Sequence, residues 1–113
     1  MSKRLQRVNQ LIKKELSQII LREIEFSPGI LVTVTRTEAT PNLIEAKIFI
    51  SVIPEEKTSD VLRILNRRIY ELQQKINKRS KMRPVPRINF IEEKKTKEAA
   101  RVEEILDKLK QKE

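Results

Sequence analysis

The chain contains no cysteine, no histidine and no tryptophan, and it has a single glycine. Without cysteine it can form neither disulfides nor thiolate metal sites. Without histidine it lacks the commonest metal ligand and cannot build a Ser–His or Cys–His catalytic pair. These absences exclude the commonest catalytic pairs and metal sites, and we expect a protein that holds no metal and no cofactor.

Long apolar runs and aromatic side chains are also scarce. No run approaches the ~18 apolar residues of a transmembrane helix. Charged residues interrupt the N-terminal apolar pattern, unlike in a signal or transit peptide, so we expect a cytoplasmic protein. The aromatic residues are Phe26, Phe49, Tyr70 and Phe90. Base stacking needs exposed aromatic rings, and Phe49 is the only candidate on the second predicted strand, so sequence-specific readout of single strands is not predicted.

Positive charge is what the chain has in excess. Its 113 residues suit one domain, and 25 basic against 16 acidic residues give a formal net charge of +9. Residues 1–14 carry five basic groups and no acid, and residues 61–91 carry nine basic groups and one acid. Solubilising charge alone would be spread more evenly, so the two blocks predict contact with a polyanion. Such contacts are made to phosphates and weaken steeply as salt rises.

The candidate contact residues are the basic side chains of the first helix and those between the second helix and the last strand. The candidate RNA-binding residues are Lys3, Arg4, Arg7, Lys13, Lys14, Lys75, Lys78, Arg79, Lys81, Arg83 and Arg87. The alternative interpretation is a solvated helix surface, in which Lys and Arg near a helix end offset the helix dipole.

Hydrophobic periodicity predicts the order α-β-β-α-β. Apolar residues three and four positions apart predict a helix at 3–25, with Ser2 as its N-cap. A second helix begins at Thr58 or Ser59 and must end before Pro84. The predicted strands, which share a period of two, are 30–37, 43–53 and 87–91. On the second strand the side chains expected to face one way are Ile44, Ala46, Ile48, Ile50 and Val52. The first two strands should form an antiparallel hairpin, with the helices on one face of a small sheet.

The composition changes near residue 92. Residues 92–113 carry seven basic and seven acidic groups, and we therefore divide the chain into a domain at 1–91 and a charge-balanced tail at 92–113. Thr96 is a possible cap for a last helix with a narrow apolar edge. Whether this segment is a disordered tail, an arm that binds a partner or an rRNA contact stays open.

Three stretches resemble the ribosome-binding factor A family. Residues 40–52 (TPNLIEAKIFISV) resemble the family's Pro-Asp-Leu…Ala-Lys-Val…Val-Ser-Val pattern. Residues 82–90 (MRPVPRINF) resemble its Leu-Arg…Val-Pro…Leu…Phe pattern. Residues 99–109 (AARVEEILDKL) resemble its C-terminal Arg-Ile…Leu-Leu segment. Together they span nearly the whole chain in the right order. The resemblance implies an α+β fold of KH type II-like kind, α-β-β-α(α)-β, a three-stranded sheet with helices on one face and a C-terminal tail or helix.

The resemblance also implies a function. It suggests a non-enzymatic, monomeric maturation factor that binds the free or immature 30S subunit through 16S rRNA, near the 5′ region and the decoding centre. Such a factor assists late assembly and rRNA processing, above all in the cold, with no small-molecule substrate and no membrane. The alternatives are a general RNA-binding KH-like module, or a basic protein-interaction adaptor without direct RNA contact.

The chain departs from the family pattern in its second helix. The family's Ala-x-Gly kink falls on Arg68-Ile69-Tyr70, where there is neither alanine nor glycine. A Gly-x-x-Gly loop is impossible as well, because Gly29 is the only glycine. The sequence leaves open whether this helix is kinked or straight.

Overall fold

The structure, a computed structural model, describes residues 2–94 and contains a three-stranded sheet covered by helices on one face. Its elements are α1 (Lys3–Glu23), β1 (Leu31–Ala39), β2 (Glu45–Ile53), α2 (Thr58–Arg67), α3 (Ile69–Arg79) and β3 (Arg87–Glu92), with a short 3-10 turn at Glu55–Lys57. The α+β order α-β-β-α(α)-β is confirmed. The predicted helix after Thr96 lies outside the described residues.

Helix α1 begins where the sequence predicts and ends slightly earlier. The Leu5 N–H donates to the Ser2 hydroxyl at 3.1 Å, so Ser2 is the N-cap. The buried residues, which recur every three or four positions, are Val8, Ile12, Leu16, Ile19 and Ile20. The helix stops at Glu23 because Ile24 adopts an extended conformation.

The strand order is β1-β2-β3, with β1 antiparallel to β2 and β2 parallel to β3. The predicted hairpin is therefore confirmed, and α2 and α3 together form the crossover that a parallel pair requires. Ala46, Ile48 and Ile50 of β2 face the helices and are buried. The expectation for Ile44 is wrong, because this residue precedes β2 and its exposed fraction is 60%.

A β-bulge in β1 changes which side chains face the helices. The register shifts between Val34, paired with Ile50, and Arg36, paired with Phe49, so that Thr35 is the extra residue. Strict alternation would have placed Arg36 on the same side as the buried Val34. Because of the bulge, Arg36 lies instead on the open face, the side of the sheet turned away from the helices.

The second helical segment is kinked, and the straight alternative is wrong. Arg68 leaves helical geometry, with φ −103° and ψ 15°, and separates α2 from α3. The expected cap at Thr58 or Ser59 is also wrong, because Thr58 is already helical and its hydroxyl donates to the Glu55 carbonyl at 2.6 Å. Helix α3 ends at Arg79, before Pro84 as predicted.

Candidate nucleic-acid interface

Helices α1 and α3 lie side by side and run in opposite directions. Near the end of α1, the Lys75 Nζ lies 3.6 Å from the Glu23 Oε1. Further towards the start of α1, the Arg79 guanidinium pairs with Glu15 and donates to Gln18. The end of α3 therefore lies beside the second half of α1, and the bend that follows α3 leads back towards the first turn of α1.

The bend after α3 closes over the first turn of α1. Arg4 and Pro84 line the same cleft, together with Leu43 from the β1–β2 turn. Met82 and Val85, from the bend itself, pack against the hydrophobic core. The bend is thus anchored by apolar contacts, and its basic side chains remain at the surface.

We define the basic end as six exposed cations, three from the first two turns of α1 and three from the end of α3 and the bend that follows it: Lys3, Arg4, Arg7, Lys78, Lys81 and Arg83. Within residues 2–94, none of the six forms an ion pair with an acidic group. Five of them also make no side-chain hydrogen bond to the described part of the chain. The exception is Arg83, whose Nη1 donates to the carbonyls of Ser80 at 2.8 Å and Met82 at 2.7 Å. Unpaired, exposed cations at one end are suited to phosphate contact.

The other candidates on α1 lie at different angles around the helix. Lys14 follows Arg7 by seven residues and so shares its outward face. Lys13 is one turn after Asn9, whose Oδ1 accepts the Ala39 N–H at 2.7 Å, and it therefore lies on the flank above β1, away from α3. RNA contact through either lysine stays a prediction.

The three remaining candidates, Lys75, Arg79 and Arg87, do not belong to the basic end. Lys75 and Arg79 have acidic partners on α1. Arg87 begins β3 opposite Glu45 and lies on the open face, because the neighbouring Ile88 faces the core. Their contact with RNA also stays a prediction, and Arg79 has in addition a structural role in joining α1 to α3.

The one aromatic candidate for base stacking is covered. Phe49 faces the open side of the sheet, yet its exposed fraction is only 9%. The Arg36 Cζ lies 3.8 Å from the ring centroid, a cation–π contact. Arg36 is held there by Glu38 and by Glu93, whose Oε1 accepts from the Arg36 Nε at 3.0 Å. The hydrogen bond from Arg36 to Glu93 is the main reason why the pKa of Arg36 is raised. A base cannot stack on this ring while Arg36 covers it.

A cluster of three residues at the kink was not predicted from the sequence. The Arg68 Nε and Nη2 each donate to the Glu71 carboxylate at 2.9 Å, and Nη1 donates to the Glu23 carbonyl at 2.8 Å. The hydrogen bond from Arg68 lowers the pKa of Glu71, and the same bond raises the pKa of Arg68. The Arg68–Glu71 spacing of three residues was visible in the sequence as a helical ion pair. The contact with α1 was not, because it joins residues 45 positions apart.

The described residues offer neither a metal centre nor a membrane span. Among residues 2–94, no group of three or more Asp or Glu side chains is arranged to hold a metal ion. In the same part of the chain, no helix has the length and apolar character needed to span a membrane.

Comparison with known proteins gives a consistent result. The family model described as ribosome-binding factor A matches residues 4–106. The chain is 38% identical over 90 residues to ribosome-binding factor A of Akkermansia muciniphila, covering 80% of this chain and 71% of that protein. It is 31% identical over 111 residues to that of Nitrosococcus oceani, covering 97% and 87%.

Solved structures share the fold. The crystal structure of ribosome-binding factor A from Thermus thermophilus superposes with a TM-score of 0.68 at 21% identity, covering 78% of this chain and 94% of that one. A Thermus thermophilus homology model, fitted into the cryo-EM map of a complex between the 30S subunit and ribosome-binding factor A, gives 0.61 at 24% identity, covering 74% and 88%.

Proposed function

The chain belongs to the ribosome-binding factor A family, and from this premise we propose that it is a maturation factor of the small ribosomal subunit. It binds free or immature 30S subunits through 16S rRNA and assists their late assembly and rRNA processing in the cytoplasm, including in the cold. The existence of a 30S complex with the Thermus thermophilus relative supports this proposal.

The observation that carries the proposal is the basic end. Six exposed cations, from the first turns of α1, the end of α3 and the bend that leads back to α1, have no acidic partner in the described part of the chain. Neutralising rRNA phosphates with these groups releases counterions and so favours binding. Arginine and lysine differ in this role, because arginine can form a planar fork with a phosphate and lysine acts as a point charge.

Recognition depends on RNA shape and backbone rather than on base sequence. The ring of Phe49 is covered by Arg36, and the chain has too few glycines for a Gly-x-x-Gly clamp. Folded rRNA is commonly recognised through its phosphates and its grooves, which require neither feature. A factor of this kind acts without catalysis, because preferential binding to one rRNA conformation is enough to raise the population of that conformation.

In this proposal the domain at 1–91 supplies the main RNA contact, and the charge-balanced tail at 92–113 does not. The monomeric state expected from the sequence fits a factor that covers a single rRNA site.

Gradient sedimentation of the tagged protein with a ribosome extract is the direct test. The protein should migrate with free or immature small subunits and not with large subunits. Migration at the top of the gradient at low salt would contradict the proposal. Competition by an unrelated RNA duplex as effective as small-subunit rRNA would indicate a general RNA-binding module. Protein partners that stay bound in a pulldown after complete nuclease digestion would indicate a protein adaptor.

A further inference from the structure

The α2–α3 kink is made without the residues that usually produce one. Sharp bends in helices are commonly caused by proline, glycine, or a group inserted into the hydrogen-bond ladder. The only glycine of the chain is Gly29, and the nearest proline after the kink is Pro84. The backbone nevertheless stays hydrogen-bonded across the break, from the Arg68 N–H to the Ile64 carbonyl at 3.2 Å and from the Leu72 N–H to the Arg68 carbonyl at 3.0 Å.

The side chain of Arg68 is the group that ties this break to the rest of the molecule. Its guanidinium is bonded twice to Glu71, in the first turn of α3, and once to the carbonyl of Glu23, the last residue of α1. A cation at the C-terminus of α1 and an acid in the first turn of α3 both complement the helix dipoles. We call these three residues the kink clamp.

The direction of α3 decides where the basic end is formed. Helix α3 has 11 residues and is therefore about 16 Å long. Tilting it by about 20° at the kink would move its far end by about 5–6 Å, roughly twice the length of a hydrogen bond. Leu72 and Ile76 are fully buried and keep α3 on the core. Loss of the clamp therefore changes the angle of α3 without detaching the helix.

We propose that Arg68 is a positioning residue for the RNA-contact surface: it holds α3 at the angle that places its end beside α1 and directs the bend, with Lys81 and Arg83, towards the first turn of α1. This inference rests on the proposed function. Arg68 itself need not touch RNA, and its effect on binding is transmitted by Glu71 and by the end of α1.

Charge provides a sharp test, because electrostatics and positioning predict opposite results. Glu71→Ala removes a negative charge, so electrostatics alone would strengthen RNA binding. Loss of the clamp should instead weaken small-subunit binding by about tenfold. The matched control is Glu25→Ala, which removes the same charge from an exposed loop residue and should bind as tightly as the unmodified protein or slightly more tightly.

A second variant leaves the charge unchanged. Arg68→Lys retains the cation but cannot form the two-pronged bond to Glu71 together with the third bond to α1. We expect it to weaken binding, while Arg67→Lys, at the exposed neighbouring position, should have no effect. Circular dichroism and thermal melts of each variant will test whether the fold is retained.

The angle of α3 can be measured directly. Because the chain has no cysteine, spin labels can be placed at Ser59→Cys and Lys78→Cys, and their separation measured by pulsed electron paramagnetic resonance in the free protein. The distance should shift or broaden when Glu71→Ala is added. Unchanged distances and unchanged binding in folded Glu71→Ala and Arg68→Lys proteins would overturn the inference and leave the proposed function intact. Failure of the unmodified protein to bind the subunit would overturn both.

Discussion

The number of cations in the basic end predicts how steeply RNA binding weakens as the salt concentration rises. If the six cations each neutralise one phosphate, the logarithm of the binding constant should fall with the logarithm of salt concentration with a slope of about −4 to −5.5. Between 50 and 200 mM salt the affinity should then drop by about 300- to 2,000-fold. The change to make is the triple substitution of Lys3, Lys78 and Lys81 by Ala, because these three lysines are exposed and unpaired within residues 2–94.

The triple variant removes half of the predicted contacts. Its slope should fall to about −2 to −3, so that the same change in salt lowers its affinity by only about 20- to 40-fold. Titration of a small-subunit rRNA fragment, followed by fluorescence anisotropy at four or five salt concentrations, measures both slopes. Affinity at the lowest salt should also be clearly weaker than that of the unmodified protein.

A matched control separates local contacts from net charge. Substituting Lys47, Lys57 and Arg67 by Ala removes the same three charges from exposed positions on the open face, in the 3-10 turn and at the end of α2. This variant should keep a slope close to that of the unmodified protein. Equal reduction in both triple variants would refute a localised interface, and unchanged slopes in the first would show that its lysines do not contact phosphate.

Three further predictions concern stability. Leu72→Ala, at a fully buried position, should lower the free energy of unfolding by about 2–5 kcal/mol in urea denaturation, whereas Leu21→Ala, at an exposed fraction of 85%, should change it by less than about 0.5 kcal/mol. Arg79→Ala should cost about 1 kcal/mol by the same measurement, because it leaves the half-buried Glu15 without its partner; an unchanged value would remove its structural role. The guanidinium bonded to Glu71 lowers the pKa of that carboxyl, so the stabilisation is present at neutral pH and is lost as the pH falls through the lowered pKa. Glu71→Gln should therefore lower Tm at pH 7, and the difference from the unmodified protein should close as the pH falls through the lowered pKa of Glu71; a difference that is constant with pH would contradict this.

The order of the elements could be predicted from the sequence because it depends on local periodicity. Apolar residues repeat every three or four positions in α1 and alternate in β2, and these spacings reflect the geometry of a single helix or strand. Prolines and Gly29 marked the turns for the same reason. The misassigned cap at Thr58 shows the limit of such local prediction. Its hydroxyl donates to the Glu55 carbonyl and does not cap the N-terminus of the helix.

The bulge at Thr35 could not be predicted in this way. It adds one residue to β1 opposite β2, and its consequence is to move Arg36 from the core side to the open side of the sheet. There the guanidinium covers Phe49. Phe49 is therefore unavailable for base stacking because of how β1 pairs with β2. The alternation of side chains within either strand does not reveal that pairing.

By itself, the sequence determined that the chain has two basic blocks, no catalytic histidine or cysteine and a small α+β core, because these follow from composition and short-range spacing. Only the tertiary structure decided which charges act together. The antiparallel packing of α1 and α3 pairs Arg79 with Glu15, and the bend after α3 brings Pro84 to the cleft that Arg4 lines. Contacts between residues more than 60 positions apart depend on how whole helices pack on the sheet, and no local pattern encodes that angle.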